Sequence, residues 1–206
     1  VQLSISIWNI LSLAVVGLMV ANSPIIGGFW GSSEYEKVRS QFQQCCWLAF
    51  PISILIIIAI LIGIYGLNSL SISERVAKIA TGYLVPYFIT ALVFPLFLVF
   101  RTTFEGMGNT KPILIFNCIA FGINAVLDYM LVFGKLGAPS LGGIGAAWAT
   151  TVAYIFLLIA MIFYAKLSKK ATRLNLYYKF EKPSMPLIRG TLNLGIPISL
   201  TLLAEF

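Results

Sequence analysis

The sequence holds no histidine. That absence removes the commonest general base near neutral pH, and HExxH-type metal chemistry with it. Cysteine is scarce. Cys45, Cys46 and Cys118 make an odd set whose spacing fits neither a disulfide framework nor a zinc site, so they read as small buried hydrophobes. Charge is thin as well: 10% of the 206 residues are charged, against about 25% in an average soluble domain. Apolar residues take the place, at 59%, with a mean hydropathy of +0.94. A chain of this composition is an integral membrane protein, and the lipid bilayer is its first partner. Its net charge of +7 comes with no basic patch interleaved with aromatics, which argues against nucleic acid and for basic cytoplasmic loops. The chain opens at Val1 already inside an apolar run, with no basic n-region, so that run is not a signal peptide. Both ends fall within apolar runs, and the expectation is a piece of a longer protein.

Five apolar stretches are each about 20 residues or more, enough for a hydrocarbon core of roughly 30 Å. They run from about 3 to 30, 45 to 67, 79 to 100, 112 to 133 and 145 to 165, and a sixth opens near Thr191. An all-α, polytopic transmembrane helix bundle follows. The connectors after the first, third and fifth spans carry Lys37, Arg39, Arg101, Lys111 and seven basic residues between Lys166 and Arg189. The opposite connectors carry only Arg75, Lys78 and Lys135. The positive-inside rule therefore places loops 31–44, 101–111 and 166–190 in the cytoplasm. The expected location is the inner (plasma) membrane. Pro86 and Pro95 share one span and predict a bendable segment there.

Two carboxylates lie within apolar spans, Asp128 and Glu205. A carboxylate at membrane depth is costly unless it meets a partner or a water-filled cavity. Asn124 stands four residues before Asp128, so both share one helix face, and Asn117 extends the stripe. Asp128 has two readings: a hydrogen-bonded packing residue, or a cation or proton site. The Asn at i−4, which adds a second oxygen ligand, and the interrupted spans favour the second. Asn9, Asn22, Thr90, Thr150 and Thr151, each taken alone, read as interhelical hydrogen-bonding groups.

The segment from Phe104 to Thr151 resembles the central stretch of the multidrug and toxic compound extrusion (MATE) transporters. The motifs are EGMGNTKP at 105–112, Asn124-x3-Asp128, GKLGAP at 134–139 and GGIGAAWAT at 142–150. Weaker likenesses are GLMV at 17–20 with Pro24, Val38-Arg39, and LGIP at 194–197 leading to Glu205. The resemblance implies a twelve-helix, two-bundle fold of which this chain holds helices 2 to 7. On it, 1–165 belong to the amino-terminal bundle, 166–190 form a cytoplasmic linker, and 191–206 start the second bundle. It implies a cation-coupled antiporter, not an enzyme, that exports drugs or other amphiphilic organic cations by alternating access. The coupling ion is H+ or Na+, no cofactor is called for, and the full-length protein is monomeric. Asp128, Asn124 and Thr150 match the cation or proton site of the amino-terminal bundle, with Asp128 and Asn124 as Na+ ligands if sodium couples. Glu205 matches a glutamate of the other bundle's cation site. The alternative is a lipid or lipid-linked oligosaccharide flippase of related architecture. It would need arginines lining the spans, whereas Arg101 and Arg189 lie at span ends. An intramembrane enzyme would need paired acids or a positioned base.

Overall fold

The computed structural model describes residues 2–69, 74–168, 172, 174, 176–177 and 179–205, of which 2–4, 67–69 and 74–78 are described by their backbone. Helices account for the ordered elements: α1 (Gln2–Val20), α2 (Asn22–Gly31), α3 (Tyr35–Ser69), α4 (Glu74–Leu84), α5 (Tyr87–Gly106), α6 (Lys111–Phe133), α7 (Gly143–Leu167) and α8 (Met185–Glu205). Among the described residues they combine into six segments long and apolar enough to cross a membrane: Ile5–Gly31, Tyr35–Gly66, Ile79–Gly106, Lys111–Phe133, Gly143–Leu167 and Met185–Glu205. In hydrocarbon only a helix satisfies every backbone group within its own segment, so apolar runs of this length fold this way.

Helix α5 is the centre of the bundle. It packs against α1, α2, α3 and α7, and buries Phe94, Phe97, Phe100 and Phe104. Phe100 meets Phe42 of α3 edge-on at 5.0 Å between ring centroids. Trp8 of α1 stacks on Tyr87 at 4.2 Å. Gly106 lets α2 cross the end of α5 closely, since a Cβ there would sit 2.5 Å from the Ser23 carbonyl oxygen. Outside this core, α6 packs on α7 and α8 packs on α1.

The prolines do not all act alike. Of the two expected to bend the third span, only Pro86 marks a break, between α4 and α5, and Pro95 lies inside continuous α5. At the break the Pro86 carbonyl accepts from the Ile89 and Thr90 amides at 3.1 and 3.4 Å, and Thr151 Oγ1 of α7 also reaches it at 3.3 Å. The α6–α7 turn closes on Gly134, whose φ of 66° is left-handed, and the Lys135 amide returns to the Met130 carbonyl at 3.1 Å.

Three expected connectors are shorter than the sequence suggested. Residues 35–44 are not loop but the first turns of α3, whose 35 residues span about 52 Å at 1.5 Å per residue and so project beyond a core of roughly 30 Å. Residues 101–106 complete α5, which leaves 107–110 as connector. The last span opens at Met185 rather than near Thr191. Of the basic residues counted for orientation, Lys169, Lys170 and Arg173 lie outside the described residues, as do the side chains of Arg75 and Lys78.

Candidate functional site

Asn117, Asn124 and Asp128 stand on α6 at spacings of seven and four, and that stripe faces α7. Pro112 starts α6 where its missing N–H costs nothing, and Gly134 ends it, so the register of the stripe is set at both ends. Between α6 and α7 lies an open cleft of about 440 Å³. Its walls include Asn117, Phe121, Asn124, Thr150 and Tyr154.

The polar groups of the cleft are linked. With its amide oriented so that oxygen meets a donor, Asn124 donates Nδ2 to Asp128 Oδ2 at 3.2 Å and accepts from the Thr150 amide at 3.2 Å. The Thr150 hydroxyl donates to its own helix, at the Ala146 carbonyl 3.0 Å away, and keeps its acceptor capacity. Asn117 donates to the Ile113 carbonyl at 2.8 Å. Asp128 Oδ1 is buried and has no hydrogen-bond partner. An ionised carboxylate has about four acceptor sites, so this oxygen stands ready for a proton or a cation. A sodium ion needs several oxygens: Asp128 Oδ1 is unpartnered, and the Asn124 and Thr150 side-chain oxygens, each already in a hydrogen bond, complete the set. The residues present therefore fit a small cation or a proton.

The structure brings Asp128, Asn124 and Thr150 together. It does not bring Glu205 to them: Glu205 is exposed at the end of α8, which packs on α1, α3 and α2, while α6 packs on α7. Tyr154 was not singled out from sequence. It lies four residues after Thr150, the same helical spacing that marked Asn124 and Asp128, and forms an aromatic wall with Phe121. Phe94 meets Tyr154 edge-on at 4.9 Å and holds the ring in place.

A second polar cluster was missed almost wholly. Asn22, at the start of α2, donates to Thr102 Oγ1 at 3.0 Å and Thr103 Oγ1 at 3.2 Å on α5. Its oxygen accepts from Gln41 Nε2 at 3.3 Å and from the Cys45 thiol at 3.2 Å on α3. Gln41 also donates to Thr191 Oγ1 of α8 at 2.8 Å. Asn22, Thr102 and Thr103 are fully buried, and Gln41 and Thr191 nearly so. Asn22 behaves as the interhelical group expected of it. Thr90 does too, sharing a hydrogen bond of 2.9 Å with Thr151 between α5 and α7. The glutamines escaped because the charges at Glu34, Glu36, Lys37 and Arg39 make the whole stretch read as solvated loop.

Known proteins are similar to this chain in sequence and in fold. The MatE family model matches residues 1–130. The multidrug resistance protein NorM of Aliivibrio fischeri is 31% identical over all of this chain, which spans 45% of its length. The probable multidrug resistance protein NorM of Pasteurella multocida is 30% identical, again over the whole chain and 44% of the relative. This chain thus covers less than half of the curated relatives it matches. Among solved structures, MATE in complex with MaD3S superposes with a TM-score of 0.87 at 22% identity, over 99% of this chain and 45% of that one. MATE-family transporters described as outward-facing and inward-facing superpose with TM-scores of 0.84 and 0.79, at 20% and 21% identity, over 98% of this chain and 45% and 44% of theirs. Their identity is low enough that they speak to the fold alone. The six apolar helices and a family match over more than half of its residues make this chain an integral membrane protein that belongs to the MatE family.

Proposed function

We propose that this chain is part of a cation-coupled antiporter that exports drugs or other amphiphilic organic cations by alternating access. The observation that carries the reading is the buried, unpartnered Asp128 Oδ1, beside Asn124 and Thr150 at an open cleft. Binding of H+ or Na+ at Asp128 neutralises a carboxylate at membrane depth, where a bare charge is costly. The cation then favours whichever arrangement of the helices encloses that carboxyl. An exported molecule must favour the other arrangement, because a ligand with equal affinity for both shifts nothing. Phe121 and Tyr154 offer aromatic faces to an organic cation. The names of the NorM relatives support drugs as the cargo.

In this reading α1 to α7 belong to one bundle, the segment 168–184 links it to the next, and α8 opens the second bundle. The basic connectors face the cytoplasm, the membrane is the inner (plasma) membrane, and the transporter works as a monomer. Glu205 serves a cation site of the second bundle, apart from Asp128. The flippase alternative would need guanidinium groups along the spans, whereas Arg101 is paired with Glu105 at 2.7 Å near the end of α5.

The test is uptake of a fluorescent cationic drug into inverted vesicles by the complete transporter, under a proton gradient and a sodium gradient applied separately. Uptake under one gradient, lost in Asp128→Asn, is the expected result and identifies the ion. Undiminished uptake by a correctly folded Asp128→Asn protein would overturn the role given to Asp128.

A further inference from the structure

The buried amides at the start of α3 do two different jobs. Gln43 and Gln44 grip the segment that leads into α8. Gln43 donates to the Leu176 carbonyl at 3.1 Å and accepts from the Glu181 amide at 2.9 Å. Gln44 donates to the Lys182 carbonyl at 3.1 Å and accepts from the Ser184 amide at 2.6 Å. Ser40 and Trp47 add bonds to the Glu181 carboxylate and carbonyl at 2.6 and 2.9 Å. Each glutamine has both ends of its amide satisfied by peptide groups, so this grip holds the backbone wherever α8 points.

Gln41 is different. Its Nε2 has two protons and three acceptors within reach: Thr191 Oγ1 at 2.8 Å, Asn22 Oδ1 at 3.3 Å and Cys45 Sγ at 3.4 Å. Its Oε1 is buried with no partner. Gln41 thus combines one short bond to α8 with one buried acceptor that has no partner, two terms of opposite sign and similar size. Removing α8 leaves neither residue stranded. Thr191 Oγ1 still donates to the Leu187 carbonyl at 3.2 Å, and Gln41 Nε2 still reaches Asn22 Oδ1. Asn22 keeps all of its partners, which lie on α3 and α5. Further along, α8 rests on α1 where Gly17 meets Ser199 and Gly195 meets Leu18, with Ser199 donating to the Ala14 carbonyl at 2.9 Å.

We propose that the Gln41–Thr191 hydrogen bond is a releasable latch that holds α8 against α3, with the Gln43–Gln44 grip as the pivot about which α8 swings. The latch rests on the alternating-access reading and names the contact that must break when the two bundles part on this side. It also buries a reporter. Cys45 is 1% exposed, lies within reach of Gln41, and is covered by α8 at Thr191. Release of α8 uncovers its thiol.

The experiment measures the rate at which a water-soluble maleimide labels Cys45 in the complete transporter, with Cys46 and Cys118 replaced by alanine. Thr191→Val, nearly isosteric, should speed labelling about fivefold, the factor that one net hydrogen bond carries. Thr191→Ser keeps the hydroxyl and should label at the parent rate. Equal rates in the parent and Thr191→Val proteins, with the parent measurably labelled, would overturn the latch and leave alternating access standing. A fast rate in Thr191→Ser as well, although the hydroxyl is kept, would assign the effect to disturbed packing at this position and overturn the latch. No labelling of any variant in the folded state, with full labelling after denaturation, would mean that α8 never leaves α3, against both the latch and the alternating-access reading.

Discussion

Two polar regions of this bundle invite comparison. Around Asn22, four helices bring amides, hydroxyls and a thiol together, and the central side chain uses its whole hydrogen-bonding capacity. Around Asp128, two helices hold a carboxylate with one oxygen engaged and the other idle, beside an open cleft. The first arrangement leaves nothing at its centre to bind. The second holds a charged group in want of a partner. Burial of polar groups alone does not separate the two regions, nor does an idle oxygen, since Gln41 Oε1 beside Asn22 is one too; what sets Asp128 apart is that its idle oxygen belongs to an ionisable carboxyl.

Exchange of the two central residues for inert ones should break the comparison if it is wrong. The largest expected effect is on transport: Asp128→Asn should cut gradient-driven uptake by more than about tenfold while thermal unfolding in detergent stays close to the parent. Asn22→Leu should do the reverse. It leaves Thr102, Thr103, Gln41 and Cys45 short of a partner, and should cost about 2–4 kcal/mol of stability, read from the same unfolding measurement. A stable Asn22→Leu protein would sink the structural role of that cluster.

Smaller changes sharpen the picture. Gly106→Ala drives a methyl against the Ser23 carbonyl and the Ile26 side chain, and should cost about 1–3 kcal/mol by separating α2 from α5. Thr90→Val removes one bond to Thr151, whose hydroxyl keeps the Ala147 carbonyl at 2.8 Å, so a loss of about 1 kcal/mol is expected. The weakest effect belongs to the exposed pair of Glu34 and Lys37, 2.8 Å apart. The hydrogen bond from Lys37 holds the Glu34 carboxyl below its usual range. A lowered folded value stabilises above the ordinary carboxylate pKa and is lost as pH falls through the folded one. In water that pair is screened, so Glu34→Gln should leave the unfolding temperature unchanged at neutral pH. A clear drop would show that this surface turn matters more than its exposure suggests.

The stripe of Asn124 and Asp128 was legible because it breaks a local rule. Asn124 and Asp128 are polar in an apolar run, and a spacing of four needs no tertiary information to place them on one face. Tyr154 was not legible, because a tyrosine in a membrane span is ordinary until a neighbouring helix makes it a wall. The glutamines were hidden for the opposite reason. Gln41, Gln43 and Gln44 follow a charged turn, and hydropathy cannot tell a solvated amide from one buried against another backbone. Pro86 and Pro95 show the same limit: the residue type allows a bend, and the packing of α5 decided that only Pro86 would use it.

By itself the sequence determined that the chain crosses a membrane as helices, roughly where each span lies, and which polar residues share a face. Those properties follow from hydrocarbon thickness and helical period, and both are local. Only the tertiary structure decided which polar groups meet and which remain unpartnered. Hydrogen-bond satisfaction is a relation between helices distant in sequence, as in the bond from Gln41 to Thr191 across 150 positions, and no local pattern records it.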